Sequence, residues 1–302
     1  MNGVINVLKP PAMTSNDVVC RLRWLLKIKR VGHTGTLDPG AAGVLPVCIG
    51  RATKIADYIM CEDKEYIAQV TFGIQTDTQD SYGVVTRTCD CAVSTDDLLR
   101  ILPQFLGNIE QVPPMYSAVK HEGKKLYQLA RQGIAIQKPP RKIYINEIEI
   151  LNAQINKFLL RINCSKGTYV RSLCADMGDA LHTCAYTSFL MRTKTCGFNV
   201  ESSYTLDEIE TKIKDGTMKD CVLPMEQAIG FLRKIVLEDY LYDIATTGTP
   251  IDLKKAGIDA EFEKDYSVFC KDKLIGIAQR EEDTLKIKSM IQIRENNHED
   301  TK

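Results

Sequence analysis

Short apolar runs, cut by glycine, proline and small polar clusters, dominate this chain and predict a fold rich in strands. Gly3 to Leu8 predicts the first strand. Val18, Leu22, Leu25 and Leu26 then recur at helical spacing, which predicts a helix capped by Ser15 and running to about Lys29. The stretch VGHTGTLDPGAAG (31–43) breaks the pattern with turn-forming residues and predicts a loop. A buried strand, Val44 to Ile49, and a helix from about Ala52 to Met60 follow. In EYIAQVTFG (65–73), Tyr66, Ala68, Val70 and Phe72 fall on one face of a β-branched and aromatic strand.

Further along, Ser94-Thr95-Asp96-Asp97 opens a helix, Pro113-Pro114 breaks the chain, and Lys124 to Gln132 predicts a short helix stopped by Gly133. Ile143 to Ile155 and Phe158 to Cys164 predict two strands, with Ser165-Lys166-Gly167 as the turn after them. Thr205 and Glu208 form a capping box for a helix to Lys214, which Gly216 ends. From Phe231 the elements shorten to Tyr266–Cys270, Leu274–Gln279 and Thr284–Ile293, with NNHEDTK (296–302) as a loose tail. Strand-only stretches lie side by side, so the class is α+β with a mixed, mostly antiparallel central sheet. The expected division is a larger domain over 1–230 and a small β-rich one over 231–302.

The 302 residues are 44% hydrophobic, enough for a sizeable core. The apolar run Val4 to Leu8 is too short for a secretory leader, and Ala41 to Ile49 is far below the roughly 20 residues of a membrane span. Eleven scattered cysteines without a C-x-x-C pair read as reduced thiols in a cytoplasm, and four dispersed histidines give no metal-ligand cluster. The formal net charge of zero hides an asymmetry. Residues 1–200 carry 24 basic against 17 acidic side chains, and residues 201–302 carry 15 against 22. Arg21 to Arg30 holds five basic residues and no acidic one, and Lys120 to Lys142 seven against one. Such runs suit a polyanion, although a solvated helix face has the same composition.

Three residues have chemistry to offer: Asp38 in the glycine-rich loop, Tyr66 on the strand, and Arg171 in SKGTYVR (165–171). Taken singly they also fit a turn cap, a core aromatic and a surface ion pair. As a set they acquire another meaning, because GHTGTLDPGAAGVLPVCIGRATK (32–54) resembles the signature of the TruB family of pseudouridine synthases, with Asp38 at its catalytic aspartate. GVINVLKP (3–10), KEYIAQVTFGIQTDTQDSYG (64–83) and CSKGTYVRSL (164–173) are similar to its lysine-proline, tyrosine and arginine motifs, in the family's order. PPMYSAVKHEGKKLYQLARQG (113–133) is similar to the RNA-gripping insertion of the bacterial tRNA branch, here placed at about 113–142.

That resemblance implies an isomerase that converts the uridine at position 55 in the tRNA T-loop to pseudouridine. No cofactor or metal is implied, nor DNA or a membrane; the partner is the tRNA T-arm, and the enzyme is expected to be a cytoplasmic monomer. Asp38 would act at the sugar, Arg171 would pair with it, and Tyr66 would stack on the uracil and handle the C5 proton. His33 would help hold the flipped base, Tyr169 and Leu190 would line its pocket, and Lys9 would brace the loop. Lys124, Lys125 and Arg131 would grip phosphates, and the small domain would be PUA-like. An Asp side chain titrates at about 3.9 when unperturbed, so Asp38 is expected to be ionised. The sequence departs from the family at Gly40, where relatives often carry a bulkier residue, and at Met191-Arg192, where two arginines are frequent and a phosphate contact is expected to weaken. The rival readings are a guide-RNA-dependent synthase subunit, a non-catalytic RNA-binding or RNA-folding module, and a nucleoside hydrolase.

Overall fold

In the computed structural model, residues 1–60, 63–136 and 138–292 are described. The expected 296–302 tail lies outside them, as does Ile293. One large sheet organises the first two-thirds of the chain. Its central path runs Val222–Leu223, Gly3–Lys9, Ala42–Ile49, Ala185–Thr195, Lys64–Phe72, Lys157–Cys164, Arg141–Gln154 and Gly107–Gln111. Neighbours are antiparallel except where Ala185–Thr195 meets Ala42–Ile49, a parallel contact with Arg192 opposite Gly43. A mixed, mostly antiparallel sheet is therefore present, as its alternating strands require.

The face predicted for Lys64–Phe72 holds: Tyr66, Ala68, Val70 and Phe72 are buried in the main core, with Phe158 set edge-on against Phe72. That core also takes Val18, Val19 and Leu22 from the first helix, which runs Ser15–Leu26 and ends when Lys27 turns left-handed. Its cap is Thr14, not Ser15. Thr14 and Asp17 bond each other's backbone N–H groups, whereas Ser15 sits in the helix and uses its Oγ to accept from the Leu37 N–H at 2.8 Å. The Ala52–Met60 helix is a 3₁₀ stretch, Gly50–Ile55, leading into a single α turn, Ala56–Ile59. The helix expected from Lys124 is shorter, Leu126–Ala130, because Lys124–Lys125 pairs with Lys120–His121 as a hairpin.

Several elements go beyond the pattern reading, among them the strand Ala185–Thr195, the helix Val170–Ala180, the strand Gly107–Gln111 and the hairpin Ile74–Thr76/Val85–Thr88. A further difference concerns sulfur. Cys89 and Cys184 form a disulfide, their Cα atoms 6.3 Å apart, which joins that hairpin to the segment after the Val170–Ala180 helix. The expectation that every thiol is reduced is corrected for this pair; sequence separation of 95 residues gave no hint that the fold would bring them together.

Residues 233–290 form a second, five-stranded sheet with its own core, including Tyr266, Val268, Ile275 and Leu285. It is fastened to the large sheet. Leu274, Ile277 and Ile291 share a third apolar cluster with Val4, Val44, Ile55 and Ile59, and Lys54 Nζ donates to the Met290 carbonyl at 2.6 Å. Among the described residues, no helix is long and apolar enough to cross a membrane.

Candidate active site

Asp38 lies on the loop between Val31–His33 and Ala42–Ile49, and the sequence around it explains how the loop is held. Lys9, at the end of the first strand, is fully buried. Its ammonium donates to the carbonyls of Pro10 at 2.8 Å, Met13 at 2.6 Å and Pro39 at 3.3 Å. Three N–H donors meet three carbonyls, one of them in the residue after Asp38. These bonds tie the end of the first strand to the loop that carries Asp38. Burial pushes the Lys9 ammonium down to about 8, against the favourable pull of Asp38 and Asp17.

Arg171 reaches Asp38 from the second position of the Val170–Ala180 helix. Its Nε lies 2.8 Å from Asp38 Oδ2, and its Nη1 lies 3.5 Å from Asp80 Oδ2. The remaining donors are not idle: Nη1 donates to the Thr78 carbonyl at 2.5 Å and Nη2 to the Tyr116 carbonyl at 2.8 Å. A buried guanidinium anchored by four oxygens fixes the orientation of the carboxylate it faces. The surface-ion-pair reading of Arg171 is excluded, since its side chain is only 4% exposed.

Burial pushes the Asp38 carboxyl above its ordinary range; Asp80 adds to that push, and Arg171 and Lys9 oppose it. The expectation of an unperturbed carboxylate is corrected here: burial raises Asp38, and the Arg171 guanidinium is the largest influence favouring its charged form. About a third of its side chain, 36%, remains open to a cleft lined by Gly40, Asp80, Tyr82, Arg171, Phe189 and Leu190. Leu190 therefore shares this cleft with Asp38. Asp80 is a residue that motif reading passed over, although it stands in the quoted tyrosine motif. A carboxylate three residues after Asp77 in a turn offered no signal of its own.

Tyr66 is 7% exposed, belongs to the core, and is not among the residues that line the Asp38 cleft. Burial pushes its phenol up, while the facing guanidinium of Arg192 pulls it down. Arg192 is a second residue that motif reading assigned no part in the site. It is 1% exposed; its Nε donates to the Val44 carbonyl at 2.8 Å and its Nη2 to the Gly35 carbonyl at 3.3 Å. The strand can come this close because Gly43, at φ 113°, has no side chain: a Cβ there would lie 2.2 Å from the Arg192 carbonyl oxygen.

His33 is half-buried, and its Nδ1 accepts from the Gly35 N–H at 3.4 Å. Burial, with Arg192 and Lys125 nearby, pushes its imidazole below the ordinary value, leaving a neutral flat ring at physiological pH. Tyr169 caps the Arg171 helix, and Gln111 clamps it by accepting from its N–H at 2.7 Å and donating to its carbonyl at 3.0 Å. Lys124, Lys125 and Arg131 are exposed on the 113–142 insertion, with Lys125 and Arg131 both over the Tyr127 ring. Among the described residues, no group of three His, Cys, Asp or Glu side chains is placed to hold a metal ion.

The chain matches the model of the TruB family pseudouridylate synthase N-terminal domain over residues 23–170, and that of the tRNA pseudouridylate synthase B C-terminal domain over residues 171–230. It belongs to the TruB family. Accordingly it is a pseudouridine synthase, an isomerase. A tRNA pseudouridine synthase B of Pelotomaculum thermopropionicum is 41% identical over 288 residues, which cover 92% of this chain and 91% of the relative. The protein of the same name from Clostridium tetani is 40% identical over 292 residues, or 96% of this chain and all (100%) of the relative. Among solved structures, a Cbf5–Nop10–Gar1 complex contains a chain similar at a TM-score of 0.76 and 26% identity, covering 97% of this chain and 85% of that one.

Proposed function

We propose that this TruB-family enzyme converts the uridine at position 55 of the tRNA T-loop to pseudouridine. The N1–C1′ bond breaks, the uracil turns, and C5 joins C1′; one proton leaves C5 and one is taken up at N1, so the product is an isomer and no electrons are exchanged. Breaking the first bond develops positive charge on the sugar, and a fixed carboxylate is the group that stabilises or traps it. The observation that carries the reading is the 2.8 Å Arg171–Asp38 pair lining a small cleft. Tyr66 stacks on the base and handles the C5 proton, while neutral His33 replaces part of the stacking that a flipped base loses.

The RNA partner is the T-arm, gripped by Lys124, Lys125 and Arg131 on the insertion. Tyr116, in the same insertion, accepts from Arg171, and Lys125 lies near enough to influence His33. An enzyme with its own grip beside the catalytic arginine needs no guide RNA, which favours a stand-alone cytoplasmic monomer over a guide-dependent subunit. The unit after residue 230 adds contacts to the rest of the tRNA. The test is to incubate the purified protein with an unmodified T-arm hairpin, digest the RNA, and separate the nucleosides by chromatography before mass spectrometry. Pseudouridine at the T-loop target is the expected result; free uracil would identify a hydrolase, and no change would leave a binding module.

A further inference from the structure

Gly40 and Tyr82 meet at the mouth of the Asp38 cleft, and neither is accounted for by the roles assigned so far. Tyr82 is 66% exposed, yet its ring lies flat enough over the loop that a Cβ on Gly40 would fall 2.1 Å from the ring Cε2. Gly40 does not have the left-handed backbone that demands glycine, as its neighbour Gly43 does. The tyrosine ring, not the chain path, is what excludes a side chain at 40. This is the position where the sequence departs from the bulkier residue frequent in the family.

The cleft behind that ring has a volume of about 30 Å³, room for no more than two or so water molecules. Clefts that bury small ligands run from roughly 300 to 1,000 Å³, so a nucleobase enters only if the mouth opens. The segment carrying Tyr82 is pinned on one side. Its N–H donates to Asp80 Oδ1 at 3.0 Å, Ser81 Oγ donates to the Ser188 carbonyl at 2.9 Å, and Asp80 faces Arg171. The backbone is thus tied to the catalytic pair, while the tyrosine side chain has solvent on one face and a glycine on the other. Among the described residues none bonds the Tyr82 hydroxyl, so swinging the ring off Gly40 breaks no hydrogen bond to them.

Resting on the reading that an RNA uridine is flipped to Asp38, we propose that Tyr82 is a stacking platform for the nucleotide beside that uridine. It leaves Gly40 as the RNA enters and takes an adjacent base on its exposed face. A flipped base leaves its neighbours without a stacking partner, and an aromatic ring 66% exposed at the rim is the chemistry that replaces one. Gly40 is the matching half: it leaves the space in which the ring parks between substrates.

The experiment uses the full-length enzyme and a fluorescently labelled T-arm hairpin, with each neighbour of the target uridine replaced in turn by an abasic nucleotide. Tyr82→Ala and Tyr82→Leu should weaken hairpin binding roughly tenfold, the scale of one lost base–aromatic stack, and Tyr82→Phe by less than about twofold. With the abasic hairpin at the correct neighbour, the native and Tyr82→Ala enzymes should bind alike. Gly40→Leu clashes only with the parked ring, so it should not weaken hairpin binding in the native background and should change nothing further with Tyr82→Ala. Circular dichroism melts check that each variant is folded. Tyr82→Ala binding as tightly as native overturns the assignment, and so does a loss that persists with both abasic hairpins. Failure of the native enzyme to form pseudouridine in the hairpin overturns the substrate reading instead, and that outcome is read from a separate assay.

Discussion

Replacing Lys9 by methionine separates holding the catalytic loop from merely filling the core. The methionine chain is unbranched and of similar length, so the change leaves little cavity and removes chiefly the three donated hydrogen bonds to Pro10, Met13 and Pro39. Taking about 1.5 kcal/mol for each bond from a charged donor gives a loss of about 4.5 kcal/mol. Against this stands relief of the burial that lowers the ammonium from 10.5 to about 8, on the order of 3 kcal/mol below that pH. The net loss of stability is therefore about 1.5 kcal/mol, a fall of roughly 3–6 °C in Tm. Activity should suffer much more. The Pro39 carbonyl is freed next to Asp38, and a shift of about 1 Å in a reacting group costs roughly a hundredfold in rate.

Proton linkage adds a second signature. Between about pH 8 and 10.5 the unfolded chain keeps the Lys9 proton and the folded one has released it, so folding stability rises with pH across that window. The neutral amine retains only two N–H groups for three carbonyls, so the native reaction rate should fall through about pH 8 while stability rises. Both trends should vanish in Lys9→Met. The assays are single-turnover pseudouridine formation from pH 6 to 9.5 and thermal melts in the same buffers. A variant that reacts within threefold of the native enzyme would refute the bracing argument, and so would stability and rate moving together on the alkaline side.

Asp38→Asn should abolish turnover while RNA affinity stays within about tenfold, because the amide keeps the shape without the charge; detectable pseudouridine above trace levels speaks against it. In the native enzyme the acid limb of the rate should lie above the ordinary carboxylate range, as burial raises Asp38 and the reaction needs its ionised form; a limb near pH 4 or below contradicts this. Tyr66→Phe should bind RNA and stall, whereas Tyr66→Leu should lose both, and a Phe variant with native turnover removes the hydroxyl from the chemistry. Neutralising Lys124, Lys125 and Arg131 together should weaken binding and flatten the slope of log affinity against log salt, since fewer counterions are released; an unchanged slope places the RNA elsewhere.

Local elements and the identity of the chemistry were legible in the sequence because both are short-range properties. Alternation put Tyr66, Ala68, Val70 and Phe72 on one buried face, Thr205 and Glu208 form their capping box, and the Asp38, Tyr66 and Arg171 motifs carried the family resemblance. Local reading failed where a residue's environment comes from distant chain. Ala185–Thr195 mixes polar and apolar positions too evenly to announce a strand, yet it lies at the sheet's centre, because its partners on both sides supply the hydrogen bonds its own pattern does not specify. Nothing local showed that Arg192 would be buried; the Gly35 and Val44 carbonyls, both about 150 residues earlier, accept from its guanidinium. The raised Asp38 carboxyl, the lowered Lys9 ammonium, the Cys89–Cys184 link and the Tyr82 ring over Gly40 are likewise products of tertiary contact. Sequence thus determined which groups are present and which local shapes they prefer. Only the fold decided their burial and partners, since desolvation and close approach depend on chain brought in from far along the sequence.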